Sequence, residues 1–127
     1  MRRPIPITAI AWLFVAVGTV GMLRDLWPLL TPGAAQQLAK LKADGLADLG
    51  PAWTSRLAAV IGGIGLLRGR NWARWLLVVW MVFHIGVSVL HSWGEVLMHS
   101  AIFPPILYFL FRGSSNPYFQ PSKGSAA

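Results

Sequence analysis

The chain has 127 residues, of which 55% are hydrophobic and 12% charged, with seven Trp and no Cys. That apolar share exceeds what a water-soluble domain of this length can bury, so the chain reads as an all-α integral membrane protein. The missing Cys excludes disulfide scaffolds, Cys-ligated zinc, iron–sulfur clusters and quinone-linked disulfide formation.

The chain opens with Arg2 and Arg3, and residues from Ile5 to Leu23 carry no charge. A spanning helix needs about 20 mostly apolar residues to cross ~30 Å of hydrocarbon, so a first span is expected over about residues 5–30. A basic start followed by Gly33-Ala34-Ala35 also resembles a secretory signal with a weak cleavage site. The stretch is longer than a signal core and no Ala-x-Ala follows it, so the first helix is expected to stay uncleaved.

Thr31-Pro32 then supplies a capping hydroxyl and a first-turn proline for a new helix. Leu38, Leu41, Leu46 and Leu49 recur at roughly helical spacing, with Lys40, Lys42 and Asp44 elsewhere around it. This predicts an amphipathic interfacial segment over 32–49, ended by Gly50-Pro51.

Three further spans are expected over about 51–70, 72–93 and 94–111. In the second, only Leu57–Leu67 is uncharged between Arg56 and Arg68, so Arg56 must snorkel to water or pair with Asp25. The third runs from Trp75 to Trp93 without Lys, Arg, Asp or Glu, and has Trp near both ends, as aromatic belts require. The fourth contains Pro104-Pro105, which remove two backbone donors and predict a kink. From Gly113 onward Ser, Gly, Pro, Asn and Ala predict a disordered tail, 113–127, after a membrane domain spanning 1–112, with Tyr118 and Phe119 anchoring its first part at the interface.

Charge orients these spans. Asp25, Asp44, Asp48 and Glu95 lie in or beside the first and third connections, with Arg24, Lys40, Lys42 and Arg56. The second connection and the two ends hold Arg2, Arg3, Arg68, Arg70, Arg74, Arg112 and Lys123, and no acid. Basic residues accumulate on cytoplasmic loops, so both termini are expected inside. The net charge of +7 therefore sits on one face, against anionic lipid headgroups, and removes nucleic acid as an expected partner.

Three constellations bear on function. His84, Ser88, His91 and Glu95 recur at helical spacing and line one face of the third span, with His84 placed near the bilayer midplane and His99 following in the fourth. Polar residues at such depth face a bundle interior or a wet cavity. His84, Ser88 and His91 are candidate cofactor contacts for a quinone, lipid or proton site. His91, Glu95 and His99 are candidate zinc or copper ligands. Haem needs two imidazoles from different helices, and His84 and His99 are expected at different depths. The plainer account is hydrogen bonding between helices, and no cofactor is expected from it.

Second, Arg68, Arg70, Trp72, Arg74 and Trp75 could clamp a phospholipid headgroup, although inside-positive topology with an aromatic belt explains the same residues. Third, Ala58 with Gly62, Ala59 with Gly63, then Gly65, and on the first helix Gly18 and Gly21, are small faces for close helix packing. No acid lies deep in any span, which argues against a proton-coupled multidrug exporter. No Ser nucleophile, phosphate loop or carboxylate pair appears.

The loop Leu66-Leu67-Arg68-Gly69-Arg70-Asn71-Trp72-Ala73-Arg74 and the end Phe111-Arg112…Asn116-Pro117-Tyr118-Phe119 resemble those of small, uncharacterised bacterial four-helix membrane proteins. The resemblance covers the last two or three helices. It implies a bacterial inner membrane and four spans, and carries over no site residue. With seven Trp, small-residue faces and no catalytic set, the sequence favours a non-catalytic accessory or scaffold subunit, packed against other membrane subunits or a second copy. A metal-, haem- or quinone-binding redox protein is the alternative, and a lipid or small-solute transporter a third.

Overall fold

The computed structural model describes residues 3–43, 49–90 and 92–120. Among them there is no strand. Helix α1 (Ile5–Leu26) starts after extended Pro4 and continues into a 3-10 turn, Trp27–Leu29. Helix α2 (Ala34–Ala43) follows Gly33, whose φ of +104° a side chain would resist. The Thr31 hydroxyl does not cap α2 as expected; it donates back to the Pro28 carbonyl, 3.0 Å away.

Helix α3 (Leu49–Leu67) ends at Gly69, in the left-handed region at φ +65°. The Gly69 amide donates to the Leu66 carbonyl and the Arg70 amide to the Gly65 carbonyl. This is a Schellman closure, and it turns the chain directly into α4 (Asn71–Ser88). Helix α5 (Trp93–Phe111) is capped by the Ser92 hydroxyl, which accepts from the Gly94 amide at 3.2 Å, and is continuous through Pro104 and Pro105. A 3-10 turn, Gly113–Ser115, and a short α6 (Asn116–Phe119) follow.

The four long helices pack in chain order and alternate in direction. A Cβ on Gly18 would lie 2.6 Å from Val60 and 2.8 Å from the Arg56 carbonyl, while one on Gly63 would lie 2.7 Å from the Ala11 carbonyl. Early α1 therefore meets late α3. Gly62 is closed over by Leu77, and Gly65 by Ala73 and Trp72, which sets α3 antiparallel to α4 in the same way. Trp75 and Phe111 meet edge to face at the far end of α4 and α5. Contact between α1 and α5 is the sparsest of the four seams. The core comprises Ile7, Ala11 and Phe14 of α1, Ala59 and Leu66 of α3, Ala73, Leu77 and Met81 of α4, Ile106 and Leu110 of α5, and Phe119.

Several sequence expectations change. Among the described residues two helices, not four, are long and apolar enough to cross a membrane: Ile5–Leu29 and Trp93–Phe111, with mean hydropathy of 2.0 and 1.3. Helix α3 carries Arg56 and a glycine-rich stretch. Helix α4 carries Arg74 and His84 and stops at Ser88, short of Trp93. Both dilutions lower hydropathy. The interfacial segment is helical over Ala34–Ala43 and again from Leu49, where α3 begins; residues 44–48, with Asp44, Leu46 and Asp48, lie outside the described residues. Residues 113–119 form helical turns rather than a disordered end, because Phe119 is buried and the Tyr118 hydroxyl donates to the carbonyls of Leu66 and Leu67, at 3.0 and 2.7 Å. Residues 121–127 lie outside the described residues.

Candidate functional site at one end of the helices

Where α1 and α4 finish and α3 and α5 begin, the four helices enclose a cavity of about 740 Å³, open on one side. Every long helix contributes: Val17 and Gly21 from α1, Ser55 and Arg56 from α3, Trp80, Phe83 and His84 from α4, and His99 from α5. Gly21 and Ala52 are the smallest residues in its lining.

Its polar wall is a connected set. Ser55 Oγ lies 2.5 Å from His84 Nε2 and accepts from Trp80 Nε1 at 2.9 Å; the same indole N–H reaches the Ser55 carbonyl at 2.7 Å. Trp80 stands one turn before His84, and their ring centroids are 4.1 Å apart. His99 Nδ1 lies 2.8 Å from the Glu95 carbonyl. A carbonyl only accepts, so Nδ1 carries the proton and Nε2 is the ring's free acceptor in the neutral form. Ser88 Oγ lies 3.3 Å from the same Nδ1 and is buried, but does not line the chamber. The His84 and His99 rings face each other with centroids 5.7 Å apart.

At the rim Arg56 Nη1 is ion-paired with Asp25, both carboxylate and guanidinium being partly exposed. The Arg56 stem lies across Gly21, where a Cβ would come within 2.8 Å of Nε. Among the described residues lining the chamber, Arg56 is the one Lys or Arg, and it is already matched with an acid.

A second, apolar cleft of about 240 Å³ adjoins it. The two share Val17, Trp80 and His99, and the cleft continues between α1, α4 and α5 along Phe14, Met98 and Ile106. It follows the sparse α1–α5 seam.

The opposite end holds a different arrangement. Arg74 is buried, sandwiched between the Phe111 and Phe119 rings at 4.3 and 4.7 Å, and donates to Asn71 Oδ1 at 3.3 Å and Asn116 Oδ1 at 3.0 Å. It stands apart from the proposed headgroup cluster because α6 covers it. Arg68, Arg70, Trp72 and Trp75 remain exposed.

No family model, curated protein or solved structure matches this chain. Function must be argued from its own geometry.

Of the predicted cofactor contacts, His84 lines the chamber, Ser88 sits behind His99, and His91 lies outside the described residues. Of the predicted metal ligands, His99 lines the chamber while Glu95 is exposed, and His91 again is not described; no group of three or more His, Asp or Glu converges among the described residues. The pairing of His84 with His99 reverses the expectation that they sit at different depths. Helix α4 ends one turn after His84, so that ring is near the helix end rather than at its middle. The packing positions Gly18, Gly62, Gly63 and Gly65 lie at helix seams, Ala59 is buried, Gly21 lies under Arg56, and Ala58 faces a shallow groove between α3 and α4. Sequence reasoning missed Ser55 and Trp80. The helical spacing of Trp80, His84 and Ser88 was the available signal; Ser55 needed the α3–α4 register.

Proposed function

We propose that this chain is a four-span protein of a bacterial inner membrane, both ends inside, that binds a small lipid-soluble molecule in the chamber at its outer end. Support for the membrane setting is the exposure of its apolar surface. Only 28% and 11% of the two most hydrophobic helix windows is buried, and Trp12, Val20, Leu23, Val79, Val82 and Leu97 are all exposed. In water this surface would drive aggregation; lipid covers it without cost. Helices α3 and α4 are packed between α1 and α5, and Arg56 and Arg74 fall within a turn or two of their ends, where charge reaches the headgroups or a partner. The charge asymmetry favours the outer side for the chamber.

One observation carries the binding role: a cavity of ligand size in which four helices converge Ser55, His84 and His99 against flat aromatic walls. A scaffold has no need to keep such a space. The test is native mass spectrometry of the protein released gently from its own membrane, beside Ala52→Phe, which fills the chamber. A constant added mass, lost in Ala52→Phe, is expected. A bare chain bound to larger subunits at fixed stoichiometry would instead establish the accessory role.

A further inference from the structure

Resting on that binding role, we infer that the occupant is an isoprenoid quinone or quinol, its ring against the polar wall of the chamber and its tail in the adjoining cleft. Three observations select this class. The first is shape: a chamber with one polar wall adjoins, across Val17, Trp80 and His99, an apolar cleft along the α1–α5 seam, which suits a compact head on a long apolar chain. The tail would reach lipid where the helices hold each other least.

The second is charge. Arg56 is paired with Asp25, so among the described residues a phosphate entering the chamber would meet no uncommitted Lys or Arg and would lose its hydration without a partner. A neutral head avoids that penalty. The third is the hydrogen-bonding set. Ser55, whose Oγ accepts from the Trp80 indole, occupies His84 Nε2, and the Glu95 carbonyl occupies His99 Nδ1, which leaves His84 Nδ1 and His99 Nε2 for an occupant. With the Ser55 hydroxyl donating to His84 Nε2, His84 Nδ1 is a donor and His99 Nε2 an acceptor. A quinol or half-reduced ring, with one oxygen accepting and one hydroxyl donating, satisfies both. Trp80 and Phe83 supply flat faces for the ring to stack on.

The probe is decylubiquinol, kept reduced and titrated into the purified protein in nanodiscs of phosphatidylethanolamine and phosphatidylglycerol, with binding read as a mass adduct and as a change in Trp fluorescence. Saturable binding is expected. It should weaken about tenfold in His84→Gln, whose amide keeps the Ser55 contact but offers nothing at the Nδ1 position, and in His99→Leu, as loss of one hydrogen bond predicts. Ala52→Phe should abolish it. If decylubiquinol does not saturate while Ala52→Phe still expels a co-purifying phospholipid, the quinone assignment falls and the chamber remains a lipid site. If nothing is held and Ala52→Phe changes nothing, the binding role falls with it.

Discussion

Helix α1 approaches α3 so closely that one methyl group should separate them. A Cβ on Gly63 would lie 2.7 Å from the Ala11 carbonyl oxygen, 2.8 Å from Val15 Cγ2 and 3.1 Å from the Val15 amide. Carbon needs about 3.5 Å from its neighbours, and two of these three atoms are backbone, which cannot swing aside. In Gly63→Ala, α1 must therefore withdraw, loosening Ala11 and Phe14 in the core. Such overpacking costs about 1–3 kcal/mol. Gly→Ala also raises helix propensity by up to roughly 1 kcal/mol in water, and this confounds a single variant. Gly86, inside α4, removes the confusion because its Cβ would meet nothing within 4 Å. The difference between Gly63→Ala and Gly86→Ala is then packing alone, about 1–3 kcal/mol against Gly63→Ala. Reversible SDS unfolding in mixed micelles, followed by Trp fluorescence, measures it. Two variants agreeing within roughly 0.5 kcal/mol would refute close α1–α3 packing at this seam.

Phe119→Ala should destabilise the protein by about 3 kcal/mol, since it empties a buried position and strips one ring from Arg74; thermal unfolding in detergent reads this. Tyr118→Phe removes the donor to the Leu66 and Leu67 carbonyls at a helix end that water can reach, so the same assay should show a loss nearer 1 kcal/mol. Asp25→Asn should cost under about 1 kcal/mol, because both partners are partly exposed, and the loss should vanish in high salt.

The helical class was legible because apolar runs of span length and Arg-rich turns are local signals. So were the α1 start at Ile5 and the pairing of Arg56 with Asp25. What escaped depends on long-range register. A Gly- and Ser-rich end reads as disorder by composition, yet Asn116 and Phe119 find Arg74, and Tyr118 finds carbonyls more than fifty residues away. The depth of His84 was misjudged because α4 was extended to Trp93; its end at Ser88 brings His84 level with His99 across the turn into α5. The chamber draws its wall from four helices, a convergence no single segment announces.

The measurement closest to the central claim is the side on which the Leu67–Asn71 turn lies. The chain has no Cys, so a single Arg68→Cys reports without background. Residue 68 is exposed, and Arg70 and Arg74 remain beside it. In intact spheroplasts a membrane-impermeant maleimide should label Ser92→Cys but not Arg68→Cys, which should react only after permeabilisation. Labelling of both from outside would mean that only α1 and α5 cross the membrane, and the four-span account would be wrong.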